Sequence, residues 1–186
     1  MATATEILRK EHDAILKMLE VTSEVAKRLA GGQKVAPQTL ADIVDFLRTF
    51  ADRCHHSKEE DLLFPRLEAK GLPRQSGPVG VMLHEHAQGR ALVQQLAQAT
   101  DDYRQGKPEA VSQWVAAARS YVALLRQHID KENNILFRLA EELLTAEEQQ
   151  QLATEFERVE TEKLGVGTHE RLHEMMAHLV AEFLPK

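Results

Sequence analysis

Apolar and small residues recur along this chain at alternating steps of four and three. Leu8, His12, Ile15, Leu19, Thr22, Ala26 and Leu29 form the first such series, and that spacing lays them along one face of a helix. Gly31-Gly32 stops it. A second series runs from Pro37 through Ile43, Leu47, Ala51, His55 and Glu59 to about Ala69, where Lys70-Gly71-Leu72-Pro73 breaks the chain. The third carries Met82, His86, Gly89, Val93, Leu96, Thr100 and Tyr103, and ends at the turn Gly106-Lys107-Pro108. The fourth carries Val111, Trp114, Ala118, Tyr121, Leu125, His128, Glu132, Ile135 and Leu139. Alternating β-branched runs never persist beyond a few residues, so strands are not expected.

The predicted fold is therefore all-α: an up-down-up-down four-helix bundle over residues 1–144, with short connections. Residues 145–186 form a C-terminal helical extension. Thr145 is placed to cap a fifth helix whose first turn holds Glu147 and Glu148. Gly165-Val166-Gly167-Thr168 interrupts it, and a last helix runs from about His169 to Phe183. The extension is too small for a core of its own and is expected to pack on the bundle.

Composition narrows the functions this fold can serve. The formal charge of −6 opposes nucleic acid as a partner, because phosphate binding needs a basic face. No apolar run approaches the roughly 20 residues that span a bilayer, and Met1–Glu6 lacks the pattern of a signal peptide. No membrane partner and a cytoplasmic location are expected. The single cysteine, Cys54, excludes an internal disulfide and a thiolate-rich metal site. The 9 histidines, against 2 tyrosines and 1 tryptophan, are the unusual feature.

Six residues on the apolar stripes are out of place in an ordinary core: His12, His55, Glu59, His86, His128 and Glu132. Buried imidazoles and carboxylates carry a desolvation penalty unless something satisfies them. His55/Glu59 and His128/Glu132 are each four apart, one helical turn on one face. The ten residues from His55 align without gaps with the ten from His128, matching His, Lys, Glu, Leu and Phe. Glu11-His12 likewise corresponds to Glu85-His86. The chain thus reads as two related helical hairpins, which favours His55/Glu59 over the overlapping pair His56/Glu60. In antiparallel helices, residues equidistant from a turn share a height. The midpoints of His12/His55, His55/His86 and His86/His128 all fall in the three connections, so the four histidines form one layer with both glutamates about one turn (roughly 5 Å) beyond it. Two imidazoles per metal and two shared carboxylates suit a pair of iron or manganese ions, and zinc also accepts these donors.

At these residues the sequence resembles the hemerythrin-like (HHE cation-binding) family. The resemblance covers about residues 6–140 and rests on Glu11-His12, the His-His-x-Lys-Glu-Glu segment from His55, Glu85-His86, and His128-x-x-Lys-Glu132. It implies two iron ions in a non-haem centre, with His12 and His55 on one, His86 and His128 on the other, and Glu59 and Glu132 bridging. Oxygen-carrying members use five histidines, two of them four apart on the third helix. Here Arg90 follows His86 by four and Met82 precedes it by four, so the chain resembles a bacterial branch with two histidines per iron. The implied function is binding of, or reaction with, O2, peroxide or nitric oxide, with weak catalase, peroxidase or nitric oxide-related redox activity as its enzymatic form. The alternatives are a non-catalytic oxygen or iron sensor, an iron storage or delivery module, and a structural bundle holding zinc.

The remaining candidates have plainer readings. His56 lies about 100° around an α-helix from His55, which places it at the surface or behind the ligands. His84 is expected to face solvent, Cys54 to be a small buried hydrophobe, and Tyr121 to pack in the core. His169-Glu170-Arg171-Leu172-His173 fits the H-E-x-x-H pattern of zinc peptidases. Only 13 residues follow, however, and Met176 and Leu179 stand where a longer motif needs Gly and His. His169 and His173 are instead expected to lie on a helix that docks near the metal end of the bundle, either behind the ligands or as a lid.

Overall fold

A computed structural model describes residues 2–159, 162, 165 and 167–185. Among the described residues we distinguish six helical rods. We label them α1 (Ala4–Ala30), α2 (residues 37–69), α3 (Gly77–Arg104), α4 (residues 110–143), α5 (Ala146–Val159) and α6 (Thr168–Phe183). Thr3 and Glu6 start α1 with reciprocal side-chain-to-backbone bonds, a capping box. The break expected at Gly165-Val166-Gly167-Thr168 falls partly on Val166, which lies outside the described residues. Gly165 and Gly167 both adopt left-handed backbone, at φ 83° and 81°, where residues with a Cβ are strained.

Two apolar clusters show how the rods run. One joins Leu8 and Ala4 at the start of α1, Leu63 and Leu67 at the end of α2, Val79 and Met82 at the start of α3, and Leu136 and Phe137 at the end of α4. The other joins Leu29, Leu40, Ala99 and Trp114, which lie at the opposite end of the same rods. Successive helices are therefore antiparallel, and the bundle is up-down-up-down. The extension covers its flank. Leu152 and Phe156 of α5 enter the first cluster, and Leu172, Leu179 and Phe183 of α6 enter the second.

Between the two clusters the helices depart from regular α geometry. In α2 the turns widen to π geometry over Leu47–His56 and again over Glu59–Leu63, and in α4 over Glu132–Leu136. The Phe64 amide donates to the Glu59 carbonyl five residues back, and the Phe137 amide donates to the Glu132 carbonyl in the same way. Such turns insert an extra residue and re-aim the side chains around them. The hydrophobic periodicity does not reveal them.

The connection between α2 and α3 is tight. A Cβ on Gly80 would lie 2.8 Å from the Gln75 carbonyl carbon and 3.3 Å from the Arg74 oxygen, both backbone atoms that cannot swing away. Gly80→Ala is expected to lower stability by about 1–3 kcal/mol, the usual scale of overpacking. Chemical denaturation of the variant beside the wild type measures it, and an unchanged midpoint would contradict the expectation.

Candidate metal centre

All six predicted site residues converge in the layer between the two clusters, and each is buried. His56 joins them, with only 4% of its surface exposed. Donor atoms of His12, His55, Glu59 and Glu132 all lie within 4.8 Å of one another, as do those of His56, Glu59, His86 and His128. Glu59 belongs to both groups. Its Oε1 is 3.5 Å from His55 Nε2 and its Oε2 is 3.4 Å from His86 Nε2. Glu132 is divided in the same way, with Oε2 3.1 Å from His12 Nε2 and Oε1 3.2 Å from His128 Nε2.

Each histidine points Nε2 inward because its Nδ1 is held from outside. Glu11 takes His55 at 2.8 Å, and Glu85 takes His128 at 3.0 Å. Asn133 holds His12 at 2.9 Å, and Glu60 holds His86 at 2.7 Å. The acid preceding each histidine of α1 and α3 thus serves the histidine of the next helix. The residue after each shared glutamate also serves a histidine of another helix: Glu60 holds His86 of α3 and Asn133 holds His12 of α1, and the two are aligned in the repeat. Phe137 stacks on His12 at 5.3 Å and Phe64 on His86 at 6.0 Å, which closes the layer with apolar rings. Outer partners of this kind fix the tautomer and aim of metal-binding imidazoles.

The electrostatics follow from burial and from these pairings. Burial opposes the charged form of His86, but the carboxylates of Glu132, Glu59 and Glu60 outweigh it and raise the pKa well above the ordinary histidine value. Burial likewise opposes ionisation of Glu132, yet His128, His12 and His86 hold it well below the usual carboxylate range. His56 goes the other way. Burial and then the neighbouring charges of His86, His55 and His128 push it well below its ordinary value, so it is a neutral imidazole.

Six inward atoms nevertheless find no hydrogen-bond partner in the protein: Nε2 of His12 and His55, and both oxygens of Glu59 and Glu132. His12 Nε2 and Glu132 Oε2 are close, but without hydrogen-bonding geometry. Unpartnered imidazole nitrogens facing carboxylate oxygens in an apolar layer are the donor set that cations such as iron, manganese or zinc take.

The surface placement considered for His56 is corrected. An α-helical wheel turns His56 away from the layer, whereas the wide turns of Leu47–His56 bring it in. Its ring stacks on His86 at 3.8 Å, and Asp52 accepts from its Nδ1 at 3.3 Å. Nothing in the hydrophobic pattern signals this; the adjacent pair His55-His56 was the only hint. His84 is exposed and Cys54 is buried, as expected. Tyr121 lies in the core beside Val93 and Leu125, with burial raising its phenol pKa. The rings of His169 and His173 lie 5.8 and 5.5 Å from Phe50, on a cavity of about 370 Å³ also lined by Glu11. The last helix therefore reaches the outer partner of His55. Glu170, the base that a peptidase reading would need, is exposed. Among the described residues, no helix is long and apolar enough to cross a membrane.

The chain is similar to known proteins over most of its length. Residues 3–140 match the family model for the hemerythrin HHE cation binding domain. An uncharacterized protein of Mycobacterium tuberculosis, Rv1995, is 26% identical over 88% of this chain, which spans 63% of that relative's length. The iron-sulfur cluster repair protein DnrN of Neisseria gonorrhoeae is 32% identical over 73% of this chain and 88% of its own. The iron-sulfur cluster repair protein YtfE of Edwardsiella ictaluri is 31% identical, covering 69% of this chain and 58% of its own length. No solved structure gives a significant match.

The two halves of the layer differ in how deeply their lysines are buried. Lys58 pairs with Glu11 with no side-chain exposure, whereas Lys131, pairing with Glu85, keeps 33%. Lys58→Met should cost about 3–5 kcal/mol, because it strands a buried carboxylate. Lys131→Met should cost about 1 kcal/mol or less, as for solvent-screened pairs. Denaturation of both variants decides this, and equal losses would contradict it.

Proposed function

This chain belongs to the hemerythrin HHE cation-binding domain family, and on that premise we propose that it is a non-haem di-iron protein. In this reading His12 and His55 hold one iron, His86 and His128 hold the other, and Glu59 and Glu132 bridge them. The observation that carries it is the division of each glutamate, one oxygen toward each histidine group. A monodentate or surface carboxylate has no reason to be split in this way. Paired iron would supply binding and one-electron redox chemistry toward O2, peroxide or nitric oxide.

The protein's own contribution is positional. Asn133, Glu11, Glu60 and Glu85 hold Nδ1 of His12, His55, His86 and His128, which turns the Nε2 of each ring toward the middle of the layer. Phe64 and Phe137 exclude water from one side of the layer. The phenol of Tyr121, its pKa raised by burial, remains protonated near neutral pH.

A second reading is favoured by the relatives. Two of them are named as iron-sulfur cluster repair proteins, which is compatible with a bundle that holds iron in order to deliver it. Rapid peroxide or nitric oxide turnover by the reduced protein supports the redox reading. Iron transfer to an apo-acceptor supports delivery.

Metal analysis after anaerobic ferrous loading is expected to give about two irons per chain, two ions being what two donor groups with shared carboxylates accommodate. The ferric form should show a charge-transfer band that shifts with azide. Glu59→Ala and Glu132→Ala should each lose most of that iron. Full iron retention by both variants, or zinc bound in preference to iron in competitive loading, would refute the di-iron reading.

A further inference from the structure

The H-E-x-x-H segment of α6 takes no part in the buried layer. We propose that His169 and His173 form a separate, open site for one borderline divalent cation of the zinc or nickel class, on the cavity that Glu11 also lines. This goes beyond the di-iron reading and does not depend on it.

Three observations support the site. First, the two histidines are four apart in α6, and their Nε2 atoms face each other at 3.3 Å, with ring centroids 4.4 Å apart. Two imidazole nitrogens about 2.0–2.1 Å from a tetrahedral zinc stand about 3.3–3.4 Å from each other. The pair therefore already has the bite of a chelate. His86 and His128, whose donor atoms belong to one group in the layer, hold their Nε2 atoms at a similar 3.1 Å. Secondly, the pair is held in place. The buried Phe50 ring lies 5.8 Å from His169 and 5.5 Å from His173. Between the two histidines, Arg171 pairs with Asp45 of α2 at 2.9 Å and Leu172 is buried in the core. A chelate on a helix that is already formed and docked has little freedom to lose on binding. Thirdly, there is room. The cavity holds about 370 Å³, and a water occupies about 30 Å³, so a cation fits with water on its remaining positions.

The chemistry of the donors sets the class of ion. Charges on the cavity wall offset one another, Glu6 and Glu11 against Lys10 and the Lys58 bound to Glu11. Affinity therefore rests on the two imidazoles. Such donors favour copper(II), nickel and zinc over iron(II) and manganese, whereas the carboxylates of the layer also suit the harder ions. Among the described residues, no third His, Cys, Asp or Glu donor completes the group. Two positions of a tetrahedral ion are thus left to water or an exogenous ligand, which separates this site from a closed structural zinc. Glu170 is exposed and does not line the cavity, so the pair holds a cation without the base that a peptidase needs.

The test uses the full chain and zinc alone. Equilibrium dialysis is expected to give one more zinc equivalent in the wild type than in the double variant His169→Ala/His173→Ala. Each single variant should weaken that equivalent by about tenfold or more, because one imidazole loses the effective concentration its partner supplied. On the wild type, zinc should protect His169 and His173 from diethyl pyrocarbonate, read by peptide mass spectrometry, while the exposed His84 and His178 stay reactive. Equal zinc content in wild type and double variant, or His169 and His173 as reactive with zinc as without it, would overturn the site. The layer is read separately, from the metal that both proteins retain, so failure of the di-iron reading leaves this comparison intact. Protection is measured on the wild type and decides the matter even where the double variant fails to fold.

Discussion

The structure depends on one electrostatic constraint: five imidazoles and two carboxylates are buried across the middle of an apolar bundle. Six of their inward atoms have no partner in the protein. A buried polar group left unsatisfied costs about 1–3 kcal/mol, so six together represent a penalty on the order of 10 kcal/mol. That is comparable with the whole stability of a domain this size, about 5–15 kcal/mol. A cation is the natural counterpart of such a set, and its binding energy then becomes part of the folding energy. The apolar core is divided accordingly. One cluster lies on each side of the polar layer, and each contains residues from all four bundle helices. The layer is therefore clamped between two packed ends and cannot relax by local movement of one helix.

The outer partners account for the precision of that layer. Glu11 and Lys58 support His55, and Glu85 and Lys131 support His128. Each couple spans two helices, so the same contacts that aim an imidazole also fix the register of its helix against a neighbour. Glu11 illustrates the balance. Burial would raise its pKa, but the His55 hydrogen bond and the Lys58 charge win, and the carboxyl stays below its ordinary range. An ionised Glu11 is an acceptor on both oxygens, and it takes the Nδ1–H of His55 on one and the Lys58 ammonium on the other. Helix packing and metal-site geometry are thus set by the same few charges.

Much of this was legible in the sequence because it follows from periodicity. Four stripes at helical spacing, broken at Gly31-Gly32, Lys70–Pro73 and Gly106–Pro108, are sufficient for a bundle. The spacing of the repeat alone sets His12, His55, His86 and His128 at one height. What escaped was the local winding. An ideal wheel turns 100° per residue and sends His56 away from His55. The wide turns ending at His56 have no signature in hydrophobic spacing, since they change which face a residue presents without changing its polarity. The outer partners were only half visible. Glu11 and Glu85 stand beside His12 and His86 in the sequence, yet each serves the histidine of an adjacent helix. That crossing depends on inter-helix geometry, which spacing along one helix does not encode.

The surroundings of the layer differ between its two sides. On the His56 side, a cavity of about 340 Å³ is lined by Arg48, Asp52, Arg90, Gly89 and Tyr121 and ends on His56 itself. On the Glu11 side, the cavity is lined by Lys10, Phe50, His169 and His173, and α6 supplies part of its wall. The four-helix repeat alone would make two similar flanks. They differ because Arg90 ties Asp52 and Glu60 together on one side, whereas the C-terminal extension covers the other. The approach to one half of the centre is therefore governed by a fixed charge network within the bundle. The other half is governed by a helix that is docked through Leu172, Leu179 and Phe183, and whose His169 and His173 line a cavity shared with Glu11, the residue that orients His55.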